Sequence, residues 1–215
     1  MILASFSSMI DGYRRFRETG WAQQRERWDE LRDGQSPKVM IIACSDSRVD
    51  PSQIFDTNPG EVFVVRNVAA LVPPFETSPG RHGVSAALEF AVQVLKVSEI
   101  VVMGHGRCGG CQAALTEAMR DAKPGEGGFV AHWIDLLDDA RDKVRNEYGE
   151  DDHSPEALRA MEKEGVRVSI ANLRTFPFVQ TGEAAGRLKL IGAYFAIADG
   201  LLHVMDDNTG EFAPV

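Results

Sequence analysis

Three residues able to ligate a soft or borderline metal lie at two separated points of the chain. Cys44 opens Cys44-Ser45-Asp46-Ser47-Arg48, and His105 and Cys108 lie in Gly104-His105-Gly106-Arg107-Cys108-Gly109-Gly110. Two thiolates and an imidazole suit zinc, and three protein ligands leave a fourth position open, the mark of a catalytic rather than a structural site. The glycines beside His105 and Cys108 let the backbone approach a metal closely and turn sharply. Two thiolates neutralise the formal charge of Zn2+, so such a zinc acidifies its water less than one held by neutral imidazoles. Asp46 and Arg48 are spaced to help. An ionised aspartate can only accept a hydrogen bond. Near a zinc-bound hydroxide it would take that proton and turn the oxygen lone pair toward a substrate. Arg48 can hold Asp46 in a two-point fork, off the metal. Released, Asp46 could become the fourth ligand and close the site.

Each residue alone supports a plainer reading. Cys44 by itself is a buried thiol at a strand end, a common fate for cysteine, and gains its meaning from His105 and Cys108. Cys108 and Cys111 spell C-x-x-C, a redox pattern, but that motif needs neither His105 nor Cys44; Cys111 reads as a buried helix residue. Asp46 and Arg48 by themselves are an ion pair capping a strand end. Arg66-Asn67 reads as a turn-stabilising pair. Gly104 to Gly110 lacks the lysine and hydroxyl residue of a phosphate loop. His132, His153 and His203 read as surface or satisfied core residues. His82, ahead of a helix, is a candidate proton relay.

The elements that must position these residues are legible from periodicity. Val39 to Ala43, Val62 to Val65 and Ile100 to Met103 are short apolar runs, which read as strands buried on both faces of a parallel sheet. The first and third end at the two motifs, and binding crevices of open α/β sheets form at such carboxyl ends. If these strands are neighbours, Cys44, His105 and Cys108 converge. Gly83 to Lys96 has helical spacing, a helix starts near Cys108, Lys123 to Gly128 is a loop, and Val130 to Glu164 is a polar helical region. Its charged residues from Asp135 to Glu150 read as a solvated face. Leu188 to Phe195 and Leu201 to Met205, parted by Asp199-Gly200, form a closing hairpin. Ahead of the sheet, Leu3, Phe6, Ile10, Tyr13 and Phe16 mark an amphipathic helix, and a second helix runs from about Ala22 to Leu31, ending by Gly34. The aromatic residues of this arm suit a partner subunit or the arm's own domain equally well. The expected fold is a single α/β domain with a mainly parallel central sheet flanked by helices. It has an N-terminal helical arm (1–34), a zinc-binding catalytic part (35–215) and a C-terminal hairpin.

Composition bounds the partners. The chain has 215 residues, 44% apolar and 26% charged, as in soluble globular proteins. A net charge of −9 disfavours nucleic acid or an anionic membrane as partner. No apolar run is long enough to span a bilayer, and Met1 to Arg15 does not read as a secretory signal. Three cysteines, an odd and small number, argue against a disulfide framework. A cytoplasmic protein is expected.

The chain resembles the β-carbonic anhydrase family in CSDSRVDPSQIFDTNPGEVFVVRNVAALVPP (Cys44 to Pro74) and GHGRCGGC (Gly104 to Cys111). Weaker support comes from GQSPKVMIIA, NLRTFPFV and the Asp199-Gly200 hairpin; the middle, from about Lys123 to Glu164, diverges. The resemblance implies reversible hydration of carbon dioxide to bicarbonate by zinc-bound hydroxide. One Zn2+ per subunit would sit on Cys44, His105 and Cys108, with Asp46 and Arg48 as the catalytic pair. It implies a substrate pocket with Gln35 as donor and Phe63, Val68 and Phe90 as apolar walls. Phe90 replaces a tyrosine of the plant-type members. The family builds this pocket at a dimer interface, so a homodimer or homotetramer is expected. One subgroup is switched off by bicarbonate bound to a tryptophan, an arginine and a tyrosine. The matching positions here are Ile41, Arg66 and Phe195, and only the arginine is present, so an open site near neutral pH is expected.

Overall fold

In strand β1 (Val39–Cys44), Met40 and Ile42 join one apolar layer while Ile41 and Ala43 join the other. That alternation is what a pleated strand covered on both faces produces. The structure, a computed structural model, describes residues 5–215. It falls into two units, the first ending at Ser36 and the second being Pro37–Val215. The first holds α1 (Phe6–Glu18), α2 (Gly20–Gln23) and α3 (Arg25–Leu31). Ser5 and Ser8 cap α1 reciprocally. Leu3 lies outside the described residues, and Phe6, Tyr13 and Phe16 are exposed. The expected helix from Ala22 is two shorter ones, broken at Gln24 and ending at Leu31.

The second unit runs through α4 (Pro51–Ile54), β2 (Val62–Asn67), α5 (Gly83–Glu89), β3 (Glu99–His105), α6 (Gly109–Thr116), α7 (Gly128–Ile134), α8 (Asp138–Tyr148), α9 (Pro155–Leu173), α10 (Pro177–Ala184), β4 (Lys189–Ala196), β5 (Leu201–Met205) and β6 (Phe212–Pro214). The six strands form one sheet in the order β2-β1-β3-β4-β5-β6. The first four run parallel, and β5 and β6 return antiparallel. The mainly parallel sheet, its flanking helices and the closing hairpin are as the periodicity predicts. One apolar layer packs under α6, α8 and the start of α9, the other under α5, α10 and the rest of α9.

Several expectations need correction. Strand β2 is half-buried throughout, because it forms the sheet edge and has one neighbour. The helix expected over Gly83 to Lys96 widens at Phe90–Leu95 into a π-helical segment and stops at Lys96, which adopts φ +56°. The polar region after Val130 is three helices; Ser154 caps α9 through its hydroxyl, and Pro155 takes the first position. The charged face of α8 is not wholly solvated. Arg141 is buried among Glu117, Asp138 and Asp142, while Ala140 and Val144 face the core. Helix α10 and strand β6 had no clear periodic signal.

Candidate active site

Strands β1 and β3 lie side by side in parallel register, Ala43 opposite Met103, so the loops that follow them emerge at the same edge. The ligating atoms of Cys44, His105 and Cys108 all lie within 4.8 Å of one another. All three residues are buried, His105 to 1% exposure. The Nδ1 of His105 is 2.9 Å from the carbonyl of Gly106. A carbonyl only accepts, so this contact puts the ring proton on Nδ1 and leaves Nε2 with a free lone pair. Nε2 is buried and has no hydrogen-bond partner.

Cys44 ends β1, and Cys108 immediately precedes α6, whose N-terminus it does not cap through its side chain. As thiols both titrate far above the ordinary range, each pushed up to about 12. For Cys44 the causes are its contact with the Cys108 thiol and burial; for Cys108 the contact with the Cys111 thiol leads. A dication among the three donors inverts that balance, since a coordinating thiol is deprotonated outright. Two sulfurs, a lone pair without a partner and a separation of a few ångströms fit zinc in type and number.

Asp46 sits beside this group. Its Oδ1 takes the backbone N–H and Nε–H of Arg48, each at 2.9 Å, and its Oδ2 takes Nη2 at 2.7 Å. The Arg48 fork holds the Asp46 carboxyl well below the usual carboxylate range. The same Nη2 reaches the carbonyl of Arg107 at 3.0 Å, so Arg48 spans both loops. Arg66 fastens the first loop further. It donates to the carbonyls of Cys44 (2.9 Å) and Asp46 (2.6 Å) and to Asp50 (3.0 Å).

The remaining expected residues divide. The rings of Phe63 and Phe90 stand 5.9 Å apart, and Val68 is exposed beside the start of α6. There a Cβ on Gly110 would meet Val68 Cγ1 at 2.7 Å, so only glycine admits this approach. Asn67 braces the following turn by bonding Leu71 through both its amide oxygen and nitrogen, while Ala69 and Ala70 adopt positive φ. Gln35 is exposed and belongs to the first unit. Ile41 is buried in the sheet, Phe195 pairs with His105 in register, and Arg66 is committed to the loop it fastens. His82 is spent on the carbonyl of Ser78 at 3.0 Å.

Sequence reasoning missed Glu162 and Tyr194. Glu162 is 3% exposed. Its Oε1 takes the N–H of Cys108 at 2.9 Å and its Oε2 the hydroxyl of Tyr194 at 2.8 Å. Burial pushes its carboxyl up, against these donors. A signal existed: Leu158, Glu162, Val166 and Ile170 form an i, i+4 row, and an acid inside an apolar row needs buried partners.

Comparisons with known proteins agree with this geometry. A family model described as carbonic anhydrase matches residues 39–202. A carbonic anhydrase of Pseudomonas aeruginosa is 36% identical over 206 residues, 95% of this chain and 89% of the other. The solved β-carbonic anhydrase CcaA superposes with a TM-score of 0.88 at 29% identity, covering 98% of this chain and 92% of its own. A structure of two tetrameric β-carbonic anhydrases from the ascomycete Sordaria macrospora gives 0.78 at 28% identity, covering 97% and 98%.

Proposed function

This chain belongs to the β class of the carbonic anhydrases, enzymes of carbon dioxide hydration, and from that premise we propose that one zinc ion per subunit, held by Cys44, His105 and Cys108, is its cofactor. The observation that carries the reading is the buried, unpartnered Nε2 of His105 lying within 4.8 Å of two sulfurs, beside an ionised carboxylate. Zinc bound there supplies a Lewis acid that makes water a nucleophile at moderate pH.

The chain's own residues do the rest. Asp46, held ionised by Arg48, can only accept a hydrogen bond. It takes the O–H of the incoming nucleophile at a carboxylate oxygen and turns that oxygen's lone pair toward carbon dioxide. Arg48 keeps Asp46 from swinging in as a fourth ligand, and its second bond to Arg107 fixes the fork against the other loop. Phe63, Phe90 and Val68 give carbon dioxide an apolar wall. Phe90 brings no hydroxyl to that wall. Bicarbonate leaves when water replaces it.

The site stays open near neutral pH. Ile41 and Phe195 offer bicarbonate no hydrogen bond, and the donors of Arg66 are spent on Cys44, Asp46 and Asp50. The working form is a homodimer or homotetramer; the exposed apolar side chains of α1 and the tetrameric Sordaria relatives support it. The three unbridged cysteines fit a reducing compartment such as the cytoplasm.

Stopped-flow hydration of carbon dioxide by protein of measured zinc content tests this reading. The expected result is fast, zinc-dependent hydration persisting toward neutral pH, with hyperbolic bicarbonate inhibition. No hydration at any pH by fully loaded protein overturns the assignment. Steep loss below about pH 8 with sigmoidal bicarbonate inhibition overturns the open site alone.

A further inference from the structure

We propose that Glu162 is a positioning residue that clamps the second ligand loop from beneath, and that Tyr194 fixes the clamp. The inference rests on the zinc reading above, since what it positions is Cys108.

The loop from His105 to Cys108 is costly to hold. Arg107 takes φ +58°, a left-handed conformation that non-glycine residues keep only when their surroundings impose it. Cys108 begins α6, and its side chain is turned to the metal donors, so it makes no side-chain cap for the orphan N–H groups of that helix. Glu162 stands in from α9. Its Oε1 accepts the Cys108 N–H at 2.9 Å, which fixes the peptide that also carries the Arg107 carbonyl. One buried carboxyl group thus holds the strained segment by the N–H that follows Arg107 and sits at the positive end of α6.

The clamp is itself held. Oε2 accepts the Tyr194 hydroxyl at 2.8 Å, and Tyr194 is buried on β4 opposite Gly104. That hydroxyl also lies against the loop, where a Cβ on Gly106 would meet it at 3.2 Å. Gly106 adds its own N–H to the carbonyl of Phe195 at 3.0 Å. The far side of the clamped segment is the Arg107 carbonyl, which accepts from Arg48. Glu162 therefore touches neither substrate nor metal, yet it fixes both the backbone of Cys108 and the carbonyl that anchors the Arg48–Asp46 fork.

The test uses zinc-loaded full-length protein with Glu162→Ala, Glu162→Gln and Tyr194→Phe. Zinc release to a competing chelator is followed together with kcat and KM for carbon dioxide. Glu162→Ala is expected to release zinc about 10- to 100-fold faster and to lose kcat with KM little changed, as loss of a group that orients a metal ligand does. Glu162→Gln keeps an oxygen for the Cys108 N–H and should recover most of the release rate. Tyr194→Phe should fall between them. Where Glu162→Ala does not fold by far-UV circular dichroism, Glu162→Gln and Tyr194→Phe decide: both must release zinc measurably faster than the parent. Parental release rates in every folded variant overturn the clamp while leaving the zinc site standing. A parent that holds no zinc overturns both.

Discussion

The loop after β1 and the loop after β3 meet at one point but are fastened with opposite polarity. The first turns its carbonyls outward, where Arg66 takes those of Cys44 and Asp46 from the half-buried sheet edge. The second turns the Cys108 N–H inward, where the buried Glu162 takes it. A cation grips one from the solvent side and an anion grips the other from the core. Arg48 ties the two together through Asp46 and the Arg107 carbonyl. The difference separates roles. On the proposed mechanism the first loop carries the side chain that works on the substrate, and it is reached from solvent. The second carries two of the three proposed ligands, His105 and Cys108, both buried.

That contrast can be broken or sharpened in order of expected effect. The largest effect belongs to the sealed loop: Cys108→Ser should lose zinc and catalysis together, with no rate above that of buffer. A variant that keeps stoichiometric zinc by metal analysis would place the ligands elsewhere. Next comes the exposed loop. Asp46→Ala should keep zinc but lose about 10²- to 10⁴-fold in kcat, the range of a lost proton-handling group. Arg48 depresses the Asp46 carboxyl, so its ionised form is present above the ordinary carboxylate range and lost only as pH falls through the depressed value. The ratio of parent to variant rate should therefore stay flat from about pH 6 to pH 9. A ratio that falls within that window would mean Asp46 titrates in the working range. The smallest effect is Arg66→Ala. It removes three charge-assisted hydrogen bonds from a partly solvated position, and should cost about 2 kcal/mol in denaturant unfolding. Zinc content should not change. Loss of zinc in this variant would show that Arg66 also positions Cys44 as a ligand.

What could be read from the sequence follows the same division. Strands β1 and β3 were legible because short apolar runs ended in chemically marked clusters, and the three ligands and the Asp46–Arg48 pair lay on those ends. The architecture followed from helices alternating with such runs. The fastenings were less visible. Glu162 sits in Met161-Glu162-Lys163-Glu164, a stretch whose charges read as solvent-facing, and only its place in an apolar i, i+4 row marks it as buried. Tyr194 could not be tied to Glu162 by spacing, because the contact joins a helix to a strand that pairs late in the sheet order. The π-helical widening from Phe90 and the burial of Arg141 likewise depend on what packs against them. Periodicity reports which face is apolar, and cannot report which polar group an apolar layer has been built around.

The parallel pairing of β1 with β3 has a consequence for how the protein matures. A parallel pair cannot close through a tight turn, so Cys44 meets His105 and Cys108 only after the crossover between them has folded onto the sheet. The metal cannot act as an early template for such a chain, as it does in small zinc modules where the ligands are neighbours in sequence. A zinc held as proposed would be a late seal, captured by a sheet already in register. Its main effect would then be to slow the way out of the native state rather than to hasten the way in.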